Sequence, residues 1–274
     1  MKILNEKVSE LNCPFCKSTS FKYKQKDRWM FLCHSCQRNV SWLSVENKVP
    51  KKQAQLVNVN YSSILNTVKK VSSLEDGHLC KSYVKKRKIP SESYDRLYFT
   101  ETPNIFAKPA GKELQDGPKL VIPLINKNKK LFGVQLRSLD NQKPKYITLR
   151  YNDSDEKIFG MDTINYSEDV TIVEGPIDSL FVKNSIAMAG ISTIDDKYKT
   201  FNICLDNEPR NKQVIQKLIN YVDSGFKVVV WPDRIKQKDV NDMVLAGIDV
   251  NKIIKENVYS GLEAKIKINN WKRV

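Results

Sequence analysis

The chain has 274 residues, of which 41% are hydrophobic, so it is long enough to bury one substantial core beside a small second module. Its 46 lysines and arginines outnumber its 31 aspartates and glutamates, and the resulting formal net charge of +15 favours a polyanionic partner such as nucleic acid. No stretch reaches the ~18 consecutive apolar residues of a membrane span, and residues 1–12 lack the apolar core of a secretion signal. These features exclude a membrane protein and predict a location in the cytoplasm, but charge alone identifies no chemistry.

Four of the six cysteines form two Cys-x-x-Cys pairs near the N-terminus. Sixteen residues separate the pairs, a spacing typical of a tetrahedral thiolate site that binds one structural Zn²⁺. The predicted ligands are Cys13, Cys16, Cys33 and Cys36. His34 lies inside the second pair and is a less favoured ligand, because four thiolates already complete the site. Cys80 and Cys204 have apolar neighbours and are predicted to be buried and unreactive.

Between the cysteine pairs, segments 21–24 and 29–32 flank a polar turn and predict a β-hairpin within a zinc ribbon, which occupies residues 1–46. Basic and aromatic residues are mixed in this hairpin, as in surfaces that bind phosphates and stack bases. The candidate nucleic-acid-binding residues of the ribbon are Lys22, Lys24, Arg28 and Trp29. A purely structural ribbon, whose rings only cover the metal, is an equally good interpretation. Residues 47–60 contain a proline and no clear periodicity, which predicts a linker.

Residues 61–166 are predicted to form a basic α+β subdomain. A helix begins at Leu79 and ends before Pro90, and three strands follow at 120–125, 131–137 and 145–149. Basic residues lie at the ends of these strands, where several could share one face of the sheet. They are Lys119, Arg137, Lys145 and Arg150.

From residue 167 to 250 short buried strands alternate with helices, which predicts a largely parallel sheet flanked by helices and an α/β fold class. The predicted strands are 170–173, 186–189, 201–205 and 227–231. The predicted helices are 176–184, 211–223 and one that begins at Val240. The basic C-terminal segment, 251–274, is expected to be solvated, with contact to a partner protein as the alternative.

Acidic residues follow the strands of this predicted sheet: Glu174, Asp206, Glu208, Asp239 and Asp242. Open α/β sheets bind ligands in the crevice beyond the carboxyl ends of their strands, so these carboxylates can meet. Asp206 and Glu208 are two positions apart, which would direct both to one side of an extended chain and favours a shared divalent cation. Mg²⁺, with Mn²⁺ as a substitute, suits carboxylates and phosphates, and the pattern therefore indicates phosphoryl transfer. Acids at such turns also serve as helix caps, but five at the ends of one sheet favour a functional site.

Three segments resemble, in order, the signatures of the TOPRIM domain in bacterial and phage DNA primases: 174–178 (EGPID), 205–208 (LDNE) and 238–242 (KDVND). The four-cysteine ribbon and segments 120–123, 132–137 and 144–148 resemble the same family. The short chain and its C-terminal run are similar to the stand-alone primases of T4-type phages. One departure concerns the second signature, which is usually Asp-x-Asp and here ends in Glu208, one methylene longer.

The resemblance implies a zinc ribbon that reads template, followed by a primase core with a basic subdomain and a TOPRIM catalytic subdomain. It implies that Glu174 acts as a metal ligand or as an acid/base, and that Asp206, Glu208 and Asp239 bind Mg²⁺. It also assigns the binding of nucleotides and nucleic acid to basic residues of the core, here Lys119, Arg137 and Lys145.

The implied activity is that of a DNA primase, a nucleotidyltransferase that makes short RNA primers on single-stranded DNA from nucleoside triphosphates during phage replication. No phosphate-binding glycine-rich loop of a helicase motor follows the core, so the replicative helicase is expected to be a separate protein. A single-strand-binding protein is a further expected partner, and the host cytoplasm the expected location. Two alternatives remain: a TOPRIM nuclease or topoisomerase, and a non-catalytic accessory protein that binds nucleic acid through the ribbon.

Overall fold

The computed structural model describes residues 9–13, 15–16, 18–25, 28–33, 35–41, 62–152, 154–190 and 194–274, and for residues 9–12, 19–25, 28, 38 and 62 it describes the backbone alone. The chain divides into two compact units, Met1–Val59 and Asn60–Val274. The predicted linker, apart from its last residue, lies within the first unit. All of the linker and His34 lie outside the described residues.

The described part of the N-terminal unit is one antiparallel sheet. In sheet order its strands are β1 (Ser9–Asn12), β2 (Thr19–Gln25), β3 (Arg28–Cys33) and β4 (Arg38–Ser41). The predicted hairpin is confirmed, with Gln25 opposite Arg28 beside its turn. Among the side chains that the structure describes in this unit, Cys13, Phe31 and Cys33 form a buried cluster. A unit of fewer than 60 residues buries little apolar surface, so metal binding is expected to contribute much of its folding free energy.

The second unit begins with an antiparallel sheet and several short helices. In sheet order the strands are β5 (Lys69–Lys70), β6 (Tyr98–Thr100), β7 (Lys119–Ile125), β8 (Leu131–Ser138) and β9 (Tyr146–Arg150). The α-helices are α1 (Ser62–Leu65), α2 (Leu79–Lys86) and α3 (Asn104–Ala107), and 3₁₀ turns form at Val71–Ser73, Ser91–Arg96 and Lys108–Ala110. The three strands predicted for this region are confirmed.

Strand β7 has buried side chains on both faces, which explains its continuous apolar run. Leu120 and Ile122 belong to the main hydrophobic core, whereas Val121 between them belongs to a second cluster with Phe106 of α3. Since alternate residues of a strand point to opposite faces, both faces of this sheet are covered. The main core also contains buried residues of the parallel sheet that comes next in the chain. The two sheets therefore share one apolar interior.

The α/β subdomain that follows is built on a second sheet, whose four central strands are parallel. In sheet order the strands are β10 (Ile158–Phe159), β12 (Ser185–Met188), β11 (Thr171–Val173), β13 (Asn202–Cys204), β14 (Lys227–Val229) and β15 (Val258–Tyr259). The helices are α4 (Pro176–Ser179), α5 (Lys212–Asp223), α6 (Val240–Leu245), α7 (Val250–Glu256) and α8 (Gly261–Trp271), with a 3₁₀ turn at Asp196–Tyr198. The predicted parallel sheet is confirmed.

Two sequence expectations about this subdomain are wrong. Helix α4 ends at Ser179 rather than at 184, because the chain turns at Asn184, which has a φ of 48° and donates from Nδ2 to the carbonyls of Asn165 and Asp169. The C-terminal segment is not a solvated tail but a folded part of the subdomain. Strand β15 pairs with β14, and α8 buries Ala264, Ile268 and Trp271, which recur at the spacing of one helix face. The α/β subdomain therefore continues past residue 250.

Among the helices that the structure describes, none combines the length and the apolarity that crossing a bilayer requires.

Candidate catalytic site and metal centre

The four cysteines of the N-terminal unit form a zinc-binding site. Their Sγ atoms all lie within 4.8 Å of one another, with Cys13 3.7 Å from Cys36 and Cys16 3.6 Å from Cys33. A tetrahedron with Zn–S bonds of ≈ 2.3 Å has sulfur–sulfur edges of about 3.8 Å, which these distances match. The Ser18 hydroxyl lies 2.8 Å from the sulfur of Cys16 and 3.4 Å from that of Cys33. Its hydrogen bonds lower the pKa of Cys16 and lower that of Cys33 to about 6, which favours the thiolates that zinc binds.

The nucleic-acid-binding surface predicted for the ribbon is described only in part. Trp29 lies on β3 opposite Lys24 and is 40% exposed, which suits a ring that stacks on a base. The side chains of Lys22, Lys24 and Arg28 lie outside what the structure describes. The role of these residues stays a prediction.

The acids of the α/β subdomain gather where its parallel strands end. Glu174 directly follows β11, and Asp206 lies two residues after β13, the neighbouring strand. Asp239 caps helix α6, where its carboxylate accepts a hydrogen bond of 2.7 Å from the backbone N–H of Asp242. Asp178, which belongs to the first signature and lies in α4, is a further acid of this group. The side chain of Asp242, in contrast, is exposed to solvent. Glu174, Asp206 and Asp239 thus lie beyond the ends of neighbouring strands, and their role as metal ligands stays a prediction.

Burial and neighbouring charges shift the pKa values of these carboxyls. Burial, followed by the charges of Glu174, Asp178 and Asp239, raises the pKa of Asp206 to about 8. Burial, followed by the charge of Asp239, raises the pKa of Asp178 to about 7. Burial also raises the pKa of Glu174. Like charges held together out of water favour the protonated form, and a divalent cation would relieve their repulsion.

The donor atoms at this edge fit Mg²⁺. The Oε1 atom of Glu174 is buried and has no hydrogen-bond partner within the described part of the chain. A buried oxygen without a donor is a natural ligand for a hard cation, and Mg²⁺ combines one or two carboxylates with water and phosphate. In the described ranges, only the four cysteines bring three or more candidate ligand atoms within 4.8 Å of one another. The carboxylate oxygens of the acids are thus farther apart than the ligand atoms of the cysteine site.

Both carboxylate oxygens of Glu208, the departure in the second signature, contact other side chains. Its Oε1 lies 2.6 Å from Nζ of Lys238, and its Oε2 accepts a hydrogen bond of 2.8 Å from Asn211. The hydrogen bond to Lys238 lowers the pKa of Glu208. Asp206 and Glu208 do not lie on an extended strand, so strand alternation does not set the directions of their side chains, and their shared cation stays a prediction. Strand β13 ends before them, and the Glu208 N–H donates to the Asp206 carbonyl at 2.9 Å, which closes a tight turn.

Asn207, between these two acids, is held by buried hydrogen bonds. Its Nδ2 donates to the carbonyls of Ile235 and Gln237, each at 3.0 Å, and its Oδ1 accepts from the indole N–H of Trp271 at 2.9 Å. Its backbone N–H donates to the Lys238 carbonyl at 2.7 Å. The loop that carries Asp206 is therefore fixed to the loop after β14 and to the end of α8.

The three candidate basic residues of the core differ in accessibility. Lys119 is 2% exposed and donates to Ser138 at 3.1 Å and to Gln142 at 2.5 Å. Lys145 is exposed to solvent. Lys119 therefore has a structural role in the sheet, and its contact with nucleotides stays a prediction.

Arg137 is part of a cluster of cations and aromatic rings. Its guanidinium carbon lies 4.6 Å from the ring centroid of Tyr146 and 5.9 Å from that of Tyr83, and Arg87 lies 5.7 Å from the same Tyr83 ring. The Nε of Arg137 is buried and has no hydrogen-bond partner within the described ranges. Such a cluster offers both positive charge and flat apolar surface.

Arg87 connects this cluster to the acids. Its Nη1 donates to Oδ1 of Asn241 at 2.6 Å, and Nδ2 of Asn241 donates back to the Arg87 carbonyl at 2.7 Å. The Asn241 backbone N–H donates to Asp178 at 3.1 Å. Sequence reasoning missed Arg87, Lys238 and Asn241 as members of the site, although the latter two lie within the quoted third signature.

With this geometry established, comparison with known proteins is informative. No protein-family model matches the chain. In sequence it is 34% identical to the DNA primase of Enterobacteria phage T4 over 219 residues, which are 75% of this chain and 64% of that protein. The chain thus spans less than two thirds of the length of this curated relative.

Two solved structures are similar in fold. The zinc-binding and RNA polymerase domains of the Aquifex aeolicus primase match 93% of this chain and 81% of that one, with a TM-score of 0.56 and 16% identity. A DnaG primase catalytic domain bound to single-stranded DNA matches 72% of this chain and 77% of that one, with a TM-score of 0.54 and 15% identity. The chain is therefore a relative of the T4 DNA primase in sequence, and it has the fold of the bacterial primases.

Proposed function

We propose that the protein is a DNA primase, a nucleotidyltransferase that makes short RNA primers on a single-stranded DNA template. The observation that carries this proposal is the group of carboxylates at the ends of the parallel strands, where the buried Oε1 of Glu174 has no hydrogen-bond partner within the described ranges, because such a group suits a divalent cation. The family relationship supplies the reaction, and the net charge of +15 suits a nucleic-acid substrate.

In the proposed mechanism two nucleoside triphosphates pair with adjacent template bases. The 3′-oxygen of the first attacks the α-phosphorus of the second, a new P–O bond forms, the α–β bridging bond breaks, and pyrophosphate leaves. Glu174, Asp206, Glu208 and Asp239 would hold Mg²⁺, or Mn²⁺ in its place. When bound, the metal supplies positive charge that lowers the pKa of the hydroxyl and neutralises the leaving group.

The remaining residues position the reactants, which is a large part of catalysis in phosphoryl transfer. The Asn207 hydrogen bonds hold the Asp206 loop rigid against the repulsion of its neighbours. Arg137 and the exposed Lys145 bind phosphates or bases, with the Tyr146 ring as a stacking surface. In the alternative role for Glu174, its Oε1 receives the proton of the attacking hydroxyl.

The proposed partners follow from this reaction. The ribbon selects the initiation site on single-stranded DNA, and the similar DnaG catalytic domain with bound single-stranded DNA supports such a template. A separately encoded replicative helicase and a single-strand-binding protein would deliver that template. Priming uses the host's nucleotide pool, so the proposed place of action is the host cytoplasm.

The test is primer synthesis by the purified, zinc-loaded protein with Mg²⁺, the four ribonucleoside triphosphates and a library of single-stranded templates. The proposal predicts template-dependent oligoribonucleotides. If none form, even with the cognate helicase present, the proposal is wrong. Cleavage of DNA in the absence of nucleotides would instead support a TOPRIM nuclease or topoisomerase.

A further inference from the structure

Lys238 is a cation among the proposed metal ligands. Its Nζ lies 2.6 Å from Oε1 of Glu208, and its charge is close enough to Asp206 to lower the pKa of that carboxyl. Asn211 holds the second oxygen of Glu208 at 2.8 Å, so both oxygens of this carboxylate are engaged. A metal ion that binds Glu208 must therefore compete with the ammonium of Lys238 for the same oxygen.

The Lys238 side chain is free to move although its backbone is not. Its carbonyl accepts the 2.7 Å hydrogen bond from Asn207, which fixes the main chain. Its side chain is 59% exposed, and a flexible four-carbon stem carries the ammonium. An exposed ion pair of this kind contributes little free energy, so the ammonium exchanges partners easily.

A cavity of about 650 Å³ is lined by both Glu208 and Lys238. An anionic ligand bound in this cavity would be a second partner for the Lys238 ammonium. Its charged lining residues are Glu208, Arg210, Asp233, Lys236, Lys238 and Arg273. Arg273 pairs with Asp233 at 2.6 Å, and Lys238 with Glu208. Arg210 and Lys236 form no ion pair with the described acids, so the cavity has an excess of two positive charges. Its volume is in the range of small-molecule sites, and its charge suits a polyphosphate.

We propose that Lys238 is an exchanging counter-ion, which neutralises Glu208 in the metal-free protein and turns to the β- and γ-phosphates of the substrate when metal binds Glu208. The cavity beside it would receive those phosphates and then the released pyrophosphate. This inference rests on the proposed function, because it assigns a place to the leaving group of primer synthesis. Glu208, the altered residue of the second signature, lines the cavity that would hold these phosphates.

The test compares wild-type full-length, zinc-loaded protein with Lys238→Gln, which keeps a hydrogen-bonding side chain and removes the charge. Mn²⁺ binding is measured by the loss of the free-ion signal in electron paramagnetic resonance. Pyrophosphate binding is measured by calorimetry at saturating Mn²⁺. Lys265→Gln is the matched control, because Lys265 also forms an exposed ion pair of 2.6 Å, with Asp223.

The proposal predicts shifts in opposite directions. Lys238→Gln binds Mn²⁺ alone about fivefold more tightly, since a competing cation is gone, and binds pyrophosphate about fivefold more weakly, since a phosphate ligand is gone. Lys265→Gln changes neither. Unchanged affinities, or two shifts of the same sign, would overturn the proposal. Neither binding measurement requires template or primer synthesis, so the two proposals can fail separately. If the Mn²⁺ and pyrophosphate affinities shift in opposite directions but the protein makes no primers, the primase function is refuted and the counter-ion role of Lys238 is not.

Discussion

Replacing Trp271 with phenylalanine tests whether the C-terminal helix supports the metal site. The indole N–H of Trp271 donates the 2.9 Å hydrogen bond to Asn207, and the ring is 4% exposed. Loss of the donor leaves a buried carbonyl oxygen unsatisfied, which costs about 1–3 kcal/mol, and the smaller ring leaves a void that costs about 1 kcal/mol more. The free energy of unfolding of the variant should therefore fall by about 2–4 kcal/mol, which leaves a protein of typical stability folded.

The effect on function should exceed this loss of stability. Asn207 lies between Asp206 and Glu208, so a looser side chain allows the proposed ligands to separate. Residues that orient metal ligands from behind typically change metal affinity by about tenfold or more, and we expect the Mg²⁺ concentration that half-saturates primer synthesis to rise by about that factor. Urea denaturation measures the stability, and a Mg²⁺ titration of synthesis measures the affinity.

Tyr198→Phe is the control for Trp271→Phe. The hydroxyl of Tyr198 donates to Glu156 at 2.6 Å, and its substitution removes one hydrogen bond from the same subdomain while keeping the ring. It should lower stability without moving the Mg²⁺ dependence. If Trp271→Phe destabilises the protein but leaves the Mg²⁺ half-saturation at the wild-type value, the end of α8 does not position the ligands and the reasoning is refuted.

Three further predictions concern protons, zinc and the basic subdomain. Burial and neighbouring acids raise the pKa of Asp206 from an ordinary value of 3.8 to about 8. In metal-free protein the free energy of unfolding should therefore fall as the pH rises from 3.8 to about 8. Urea denaturation of Asp206→Asn over the same pH range should show a smaller fall. Cys16→Ser should abolish the binding of stoichiometric zinc, as measured by metal analysis, and should also abolish primer synthesis on any template. The unit Asn60–Val274 should keep its cooperative thermal transition. Retained primer synthesis would exclude a template-reading ribbon. Lys119→Met should lower the free energy of unfolding by about 2–3 kcal/mol, because it leaves Ser138 and Gln142 without their buried donor. A variant with wild-type stability in urea but defective nucleotide binding would show that Lys119 acts in binding instead.

Local patterns predicted most of the elements. The zinc site depends only on cysteine spacing, and the strands of the second sheet only on short apolar runs between helical segments. The C-terminal segment was misjudged because its lysines suggest a solvated surface, whereas Ile268 and Trp271 recur on one helix face that packs onto the core. Net charge is a poor guide to burial when lysine is frequent on every surface.

The site could be predicted as a list of acids but not as an arrangement. The positions of Asp178 and Arg87 depend on tertiary contacts, since Asn241 bridges residues that lie 154 and 63 positions away in sequence. The direction of Glu208 was also beyond prediction, because it depends on a turn after β13 and on Lys238 from a different loop. Strand alternation applies only while the strand continues.

The most direct measurement of the central claim is primer synthesis by Glu174→Gln beside wild-type protein, with template binding followed by fluorescence anisotropy of labelled single-stranded DNA. The amide is close in size to the carboxylate but neither carries a charge nor accepts a proton. We predict that wild-type protein makes oligoribonucleotides, and that the variant loses synthesis while it binds template with wild-type affinity. Wild-type synthesis by the variant would contradict a catalytic centre at this edge of the sheet.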